Sequence, residues 1–150
     1  MKEICENSEN FLNELFEDMS FDLSASAEWS DDEGCLINLI GDDAHITLSE
    51  NGELLDAFES LLFQFYGREL DRSHRIICDA DGFRQTRKSE LAMMAKFAAK
   101  NVREKGIAFT FGVLNSTERR MIHLTLQDEE DLITESVGVG RDRRLQVRQK

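Results

Sequence analysis

Arg119 and His123 stand four residues apart in a stretch, 116–127, that reads as a helix. Projected at about 100° per residue, Arg119, His123 and Gln127 stack at i, i+4 and i+8, with Arg120 beside them. Met121, Ile122, Leu124 and Leu126 take the apolar side. Two donors one turn apart on an exposed face suit the oxygens of a phosphate or a sugar, and a histidine ring can also stack on a base. By itself the pair is an ordinary solvated helix face. More cations lie on either side in sequence: Arg84, Arg87 and Lys88 at the start of the preceding helix, and Arg141, Arg143, Arg144, Arg148 and Lys150 near the C-terminus. Arg120, Arg84, Arg87, Lys88, Arg143 and Arg144 are expected to flank Arg119 and His123 as a phosphate track. The competing expectation for Arg84 and Arg87 is pairing with carboxylates of the first half.

Other chemistry finds no support. His-Glu-x-x-His, Cys-x-x-Cys, Gly-x-x-x-x-Gly-Lys-Ser/Thr and Gly-x-Ser-x-Gly are all absent from the sequence. The three histidines and three cysteines lack metal-ligand spacing, so neither a metal nor a cofactor is expected. Asp79-x-Asp81-Gly82 resembles the start of a calcium loop, but Arg84, Arg87 and Lys88 follow where oxygen ligands are needed, so it reads as a turn and helix start. Gly138-x-Gly140 falls inside a late hairpin rather than between a strand and a helix. The acidic run at 128–131 reads as solvated loop. No catalytic residue is assigned, and the chain is not read as an enzyme.

The elements that must hold these residues divide into two sets. The chain has 150 residues, with 18 Lys+Arg against 30 Asp+Glu, a formal charge of −12. Taken whole, that charge speaks against nucleic acid, whose phosphates need Lys and Arg. Resolved along the chain it is −17 over residues 1–82 and +5 over 83–150. Such asymmetry predicts two units, placed at 1–80 and 81–150 by the turn-like Asp-Ala-Asp-Gly at 79–82. No apolar run approaches the ~20 residues of a membrane span, and the acidic N-terminus has no h-region, so neither membrane insertion nor a signal peptide is expected. Three widely spaced cysteines predict free thiols in a reducing cytoplasm.

In the first set, spacing predicts a helix over 8–19 capped by Ser8, then a hairpin of strands at 21–29 and 35–40. An amphipathic helix over 53–66 and a short strand at 75–78 follow, with Phe21, Trp29 and the phenylalanines of 58–65 assigned to the core. In the second set, a helix over 83–104 buries Leu91, Met94, Ala95, Ala98 and Val102 and ends at Gly106. A strand alternates through Ile107, Phe109, Phe111 and Val113. Asn115 and Glu118 form a capping-box pair ahead of the helix bearing Arg119, and residues 132–139 and 144–148 close as a hairpin.

The segment Asn115-Ser-Thr-Glu-Arg-Arg-Met-Ile-His123 resembles the signature of the R-3-H domain, named for Arg-x-x-x-His. Its surroundings are similar to the bacterial Jag family, which joins a KH-like domain to an R-3-H domain. The resemblance rests on Asp-Gly-Phe-Arg at 81–84, Arg87, Leu91, Ala95, Ala98, Glu118-Arg119-Arg120, His123, Leu126, Thr134-Glu-Ser136 and Arg143-Arg144. It covers about 35–150 and is strongest over 79–150. It implies an α+β fold: a type II KH-like domain, then an R-3-H domain of two helices packed on a small, three-stranded, mainly antiparallel sheet. It also implies a non-enzymatic, cytoplasmic regulator that binds single-stranded RNA or DNA, RNA above all. At family level it implies protein partners too, a small KH protein or a membrane-insertase-associated complex. Many Jag relatives carry a further N-terminal domain, for which this chain is expected to have no room.

One departure stands out. Where a KH domain holds the nucleic-acid backbone with Gly-x-x-Gly, this chain has Ser49-Glu50-Asn51-Gly52, followed by Glu53 and Asp56. Carboxylates then occupy a helix start that would otherwise attract phosphate. The KH-like half is therefore expected to have lost its grip, leaving binding mainly to the second half. The alternative is a protein-interaction scaffold in which the acidic half recruits a partner.

Overall fold

The computed structural model describes residues 2–150 and divides the chain into two compact units, Met1–Arg84 and Gln85–Lys150. The boundary lies within the first turn of a helix, four residues beyond the expected division between 80 and 81.

The first unit opens with α1 (Lys2–Asp18), whose stripe Ile4, Ser8, Leu12 and Phe16 repeats every four residues and is buried. Because Ile4 and Cys5 extend the stripe, the helix starts well before the expected Ser8 cap. Ser8 lies mid-helix with its hydroxyl buried and without a partner among the described residues. Strands β1 (Ser24–Ser30) and β2 (Gly34–Ile40) form the expected antiparallel hairpin, from Ser24 opposite Ile40 to Ser30 opposite Gly34. A short helix not expected from the sequence, α2 (Ala44–Thr47), leads into α3 (Ser49–Tyr66). The chain then returns as β3 (Arg75–Asp79), parallel to β2, giving the order β1-β2-β3.

Alternate residues of β2 (Cys35, Ile37 and Leu39) join Leu12 and Phe16 of α1 and Leu55, Phe58 and Leu62 of α3 in one core. Phe63 and Phe65 lie outside it, 56% and 59% exposed, contrary to expectation: the buried stripe of α3 runs through 55, 58 and 62. Phe65 packs instead on Phe11 and Tyr66. Trp29 is half-buried, packed at a tilt against His74 with its indole N–H donated to Asp31. Cys5, Cys35 and Cys78 are free, and burial pushes all three thiols up.

Side chains occupy both outer edges of this sheet. On β1, Asn13 donates to the Ala25 carbonyl and accepts from the Ala25 N–H, and Glu9 accepts from the Ala27 N–H at 2.7 Å. On β3, Glu59 accepts from the Cys78 N–H and Arg84 donates to the Cys78 carbonyl.

The second unit is built on α4 (Phe83–Lys105) and α5 (Ser116–Leu126), with a wholly antiparallel sheet ordered β4-β6-β5. Its strands are β4 (Phe109–Thr110), β5 (Leu132–Val137) and β6 (Arg144–Gln149). Gly106, at φ 65, ends α4 in the left-handed conformation that glycine takes without strain. The strand expected over 107–113 shrinks to two residues. Ile107 and Val113 are 70% and 67% exposed, so the alternating pattern there finds no buried partner at its ends. Leu91, Ala95, Ala98 and Val102 of α4 pack with Ile122 and Leu126 of α5 and with Leu132, Leu145 and Val147 of the sheet. These second-unit elements are the expected α+β arrangement of two helices on a three-stranded sheet.

Candidate nucleic-acid interface

Asn115 starts α5 in extended conformation. Its side chain accepts from the Glu118 N–H at 2.8 Å, while Glu118 reaches back to the Asn115 N–H at 3.1 Å, a complete capping box. The buried face of the helix is Glu118, Ile122 and Leu126. Met121 and Leu124, expected on the apolar side, are exposed. That burial pattern rotates the Arg-x-x-x-His face towards β5. Arg119 is half-buried and donates from Nη1 to the Leu114 carbonyl at 2.6 Å. His123 is exposed, and its Nδ1 is hydrogen-bonded to the Thr134 hydroxyl of β5. With Nδ1 so engaged, Nε2 is the ring nitrogen left for a ligand.

An open groove of about 350 Å³ lies over these residues. Arg119, Arg120 and His123 of α5 and Arg143 before β6 surround it, and Ser116, Thr134 and Ser136 add hydroxyls. Guanidiniums, an imidazole and hydroxyls converging on one open cleft form a set of hydrogen-bond donors suited to phosphate and sugar oxygens. Four of the residues singled out in the sequence thus meet at one place.

The other four do not. Arg84 lies in the first unit, where it pairs with Asp56 at 2.8 Å and Glu59 at 2.7 Å. Burial works against its charge, but those carboxylates outweigh it and hold the guanidinium above its usual value. Arg87 donates from Nε to Glu118 at 2.7 Å and from Nη1 to Glu90 at 3.0 Å, in its own unit. Burial again opposes its charge, and again the paired carboxylates more than compensate. Lys88 is exposed and has no ion pair among the described residues. Arg144 donates to the carbonyls of Arg141 and Arg143 in the turn before β6. Arg103, absent from the sequence reading, is clamped by Asp131 and Glu129. Sequence spacing carries no sign of the distant partners among these: Arg87 and Glu118 are 31 positions apart.

In the first unit α3 is kinked at its start, where residues 50–52 depart from helical geometry. Glu50, Asn51 and Gly52 take three successive left-handed conformations, with φ of 51, 59 and 81. Asparagine tolerates this region, whereas glutamate does so at a cost of roughly 1–2 kcal/mol. Gly52 is buried under Phe83; a Cβ there would sit 2.6 Å from the ring. The absence of a Cβ at Gly52 thus makes room for a side chain of its own unit. Beside it Arg84 fills the space between Asp56, Glu59 and the β3 edge. Among the described residues, no cluster of three or more His, Cys, Asp or Glu is placed to hold a metal ion. No described helix is long and apolar enough to cross a membrane.

The R-3-H domain family model matches residues 89–149, which include every residue that lines the groove. The second unit is therefore an R-3-H domain. The RNA-binding protein KhpB of Clostridium symbiosum is 30% identical over 129 residues, covering 85% of this chain and 58% of that protein. The RNA-binding protein KhpB of Bacillus subtilis is 27% identical over 115 residues, covering 75% of this chain and 55% of that protein. Over its length the chain is similar to these Jag-family relatives, in line with its sequence resemblance, and it spans a little over half their length.

Proposed function

We propose that the chain binds single-stranded RNA in the cytoplasm through the groove of its second unit, and that it catalyses no reaction. The observation that carries this reading is the meeting of Arg119, Arg120, His123 and Arg143 over hydroxyls of α5 and β5. Arg119 and His123 stand at the centre, each oriented by a hydrogen bond to its own unit. The relatives' description as RNA-binding proteins supports the ligand class. Recognition on this reading is electrostatic and largely sequence-tolerant, since the groove offers donors for backbone oxygens.

The first unit, on the same reading, is a type II KH-like domain with its backbone grip closed. Its helix–strand–strand–helix–helix–strand order supports that assignment, and Phe83 over Gly52 together with the acids at 50, 53 and 56 supports the closure. It serves as scaffold or protein-facing surface.

Titration of the full chain with a 12-nucleotide oligouridylate at several salt concentrations tests the reading. Affinity should fall with salt at a slope of roughly 0.7 per phosphate contact, and the deoxy oligomer should bind less tightly. Salt-independent affinity, or an Arg119→Ala/His123→Ala variant that binds like the parent, would refute it.

A further inference from the structure

Glu118 is a buried carboxylate in the first turn of the helix that carries Arg119 and His123. One oxygen accepts from the Asn115 N–H and closes the capping box, and the other accepts from Arg87 Nε. The pair is well removed from solvent, with side-chain exposures of 16% for Arg87 and 7% for Glu118. A buried carboxylate stripped of its cation is strongly unfavourable, so the cap of α5 depends on a residue of α4. The same turn aims Arg119: its N–H donates to the Asn115 carbonyl at 3.0 Å and its Nη1 to the Leu114 carbonyl. Leu114 to Arg119 is thus one hydrogen-bonded block, and Arg87 is the cation that anchors it to α4. Arg87 does not line the groove.

We propose that Arg87 is a positioning residue for nucleic-acid binding: through Glu118 it fixes the cap of α5 and hence the direction of Arg119, without touching the ligand. The proposal rests on the groove being the binding site. It reassigns a residue whose charge and neighbourhood in sequence pointed to direct phosphate contact. Misdirection of a guanidinium by about an ångström weakens a contact that depends on fork geometry.

The test uses the full chain, the oligouridylate and four variants. Arg87→Ala should weaken binding about tenfold and leave the slope of log K against log[salt] unchanged, because no phosphate contact is lost. Arg87→Lys should recover part of the loss. Glu118→Gln keeps the capping box and weakens the pair, so it should lower affinity about threefold. Lys88→Ala, one residue away and exposed, should bind within twofold of the parent. A fall of about 0.7 in slope for Arg87→Ala would make Arg87 a phosphate ligand and overturn the proposal. So would unchanged affinity in that variant, or tighter binding by Glu118→Gln.

Amide hydrogen exchange in the ligand-free protein separates failure of the brace from failure of the groove. Exchange at Glu118 and Arg119 should quicken at least tenfold in Arg87→Ala, with exchange in β2 unchanged. Unchanged exchange at those two amides overturns the brace even if the parent chain binds no oligonucleotide. Should Arg87→Ala fail to fold, the same two readouts apply to Glu118→Gln.

Discussion

The two units hold comparable tools and use them differently. In the first, a helix start, a glycine and an arginine come together, but Phe83 covers the glycine and Asp56 and Glu59 hold the arginine. In the second, Arg119, Arg120 and Arg143 have no carboxylate partner among the described residues and open onto one groove. The difference teaches that the number of basic residues is a poor guide to a phosphate-binding surface. Arg84, Arg87, Arg103 and Arg148 are all ion-paired internally. The positive excess of residues 83–150 matters only where it is left free.

Core substitutions should separate the units most strongly. Leu62→Ala and Ile122→Ala each remove a fully buried side chain and should cost about 3 kcal/mol, read by denaturant unfolding. At temperatures where the variants stay folded, oligonucleotide affinity should survive the first and suffer in the second. Equal losses of affinity would mean that the first unit takes part in binding. Next in size is the groove itself. Arg119→Ala/His123→Ala removes two oriented donors and should raise Kd about a hundredfold, or ~2.7 kcal/mol, with little change in Tm.

Gly52→Ala tests the closed loop from the inside. The methyl group meets the Phe83 ring at a positive φ, so unfolding free energy should drop by about 1–3 kcal/mol with no effect on affinity. Glu50→Lys supplies a cation at the loop without uncovering it and should change affinity less than threefold. A larger gain would show that charge, and not the cover of Phe83, decides whether this loop takes up nucleic acid.

The smallest expected effect comes from Arg103. Its hydrogen bonds hold the Asp131 carboxyl below the usual range. A depressed carboxylate stabilises the fold above its unfolded-state pKa, and the contribution is lost as pH falls through the lower folded value. The small Tm difference between the parent and Asp131→Asn should therefore be present at pH 7 and vanish in acid. The pair is solvent-exposed, so salt should shrink the difference as well.

Local features were legible in the sequence where they depend on neighbours. The hairpin of β1 and β2, the glycine stop after α4 and the Asn115–Glu118 cap follow from residues a few positions apart. The burial of Leu91, Ala95, Ala98 and Val102 followed from helical periodicity. What escaped depends on partners distant in the chain. Nothing within one turn of Arg87 announces Glu118, and nothing near Gly52 announces Phe83. Periodicity also overreached. It extended β4 across exposed Ile107 and Val113, and it placed Phe65 in a core that three other residues of α3 already fill. Met121 and Leu124 show the same excess: the buried positions of α5 run 118, 122 and 126, and the first is a carboxylate that hydrophobicity alone would never select.

Asn13 and Glu9 on one side of the first sheet, and Glu59 and Arg84 on the other, have a further consequence. An open strand edge is a template on which other chains add strands, and natural sheets blunt it with charge, proline or cover. Here the blunting is done by side chains of the unit's own residues, which act as counterfeit neighbouring strands. Growth of fibrils or swapped sheets from this unit would first have to displace those side chains. A protein that adds a strand at either edge meets backbone groups of Ala25, Ala27 and Cys78 that are already engaged.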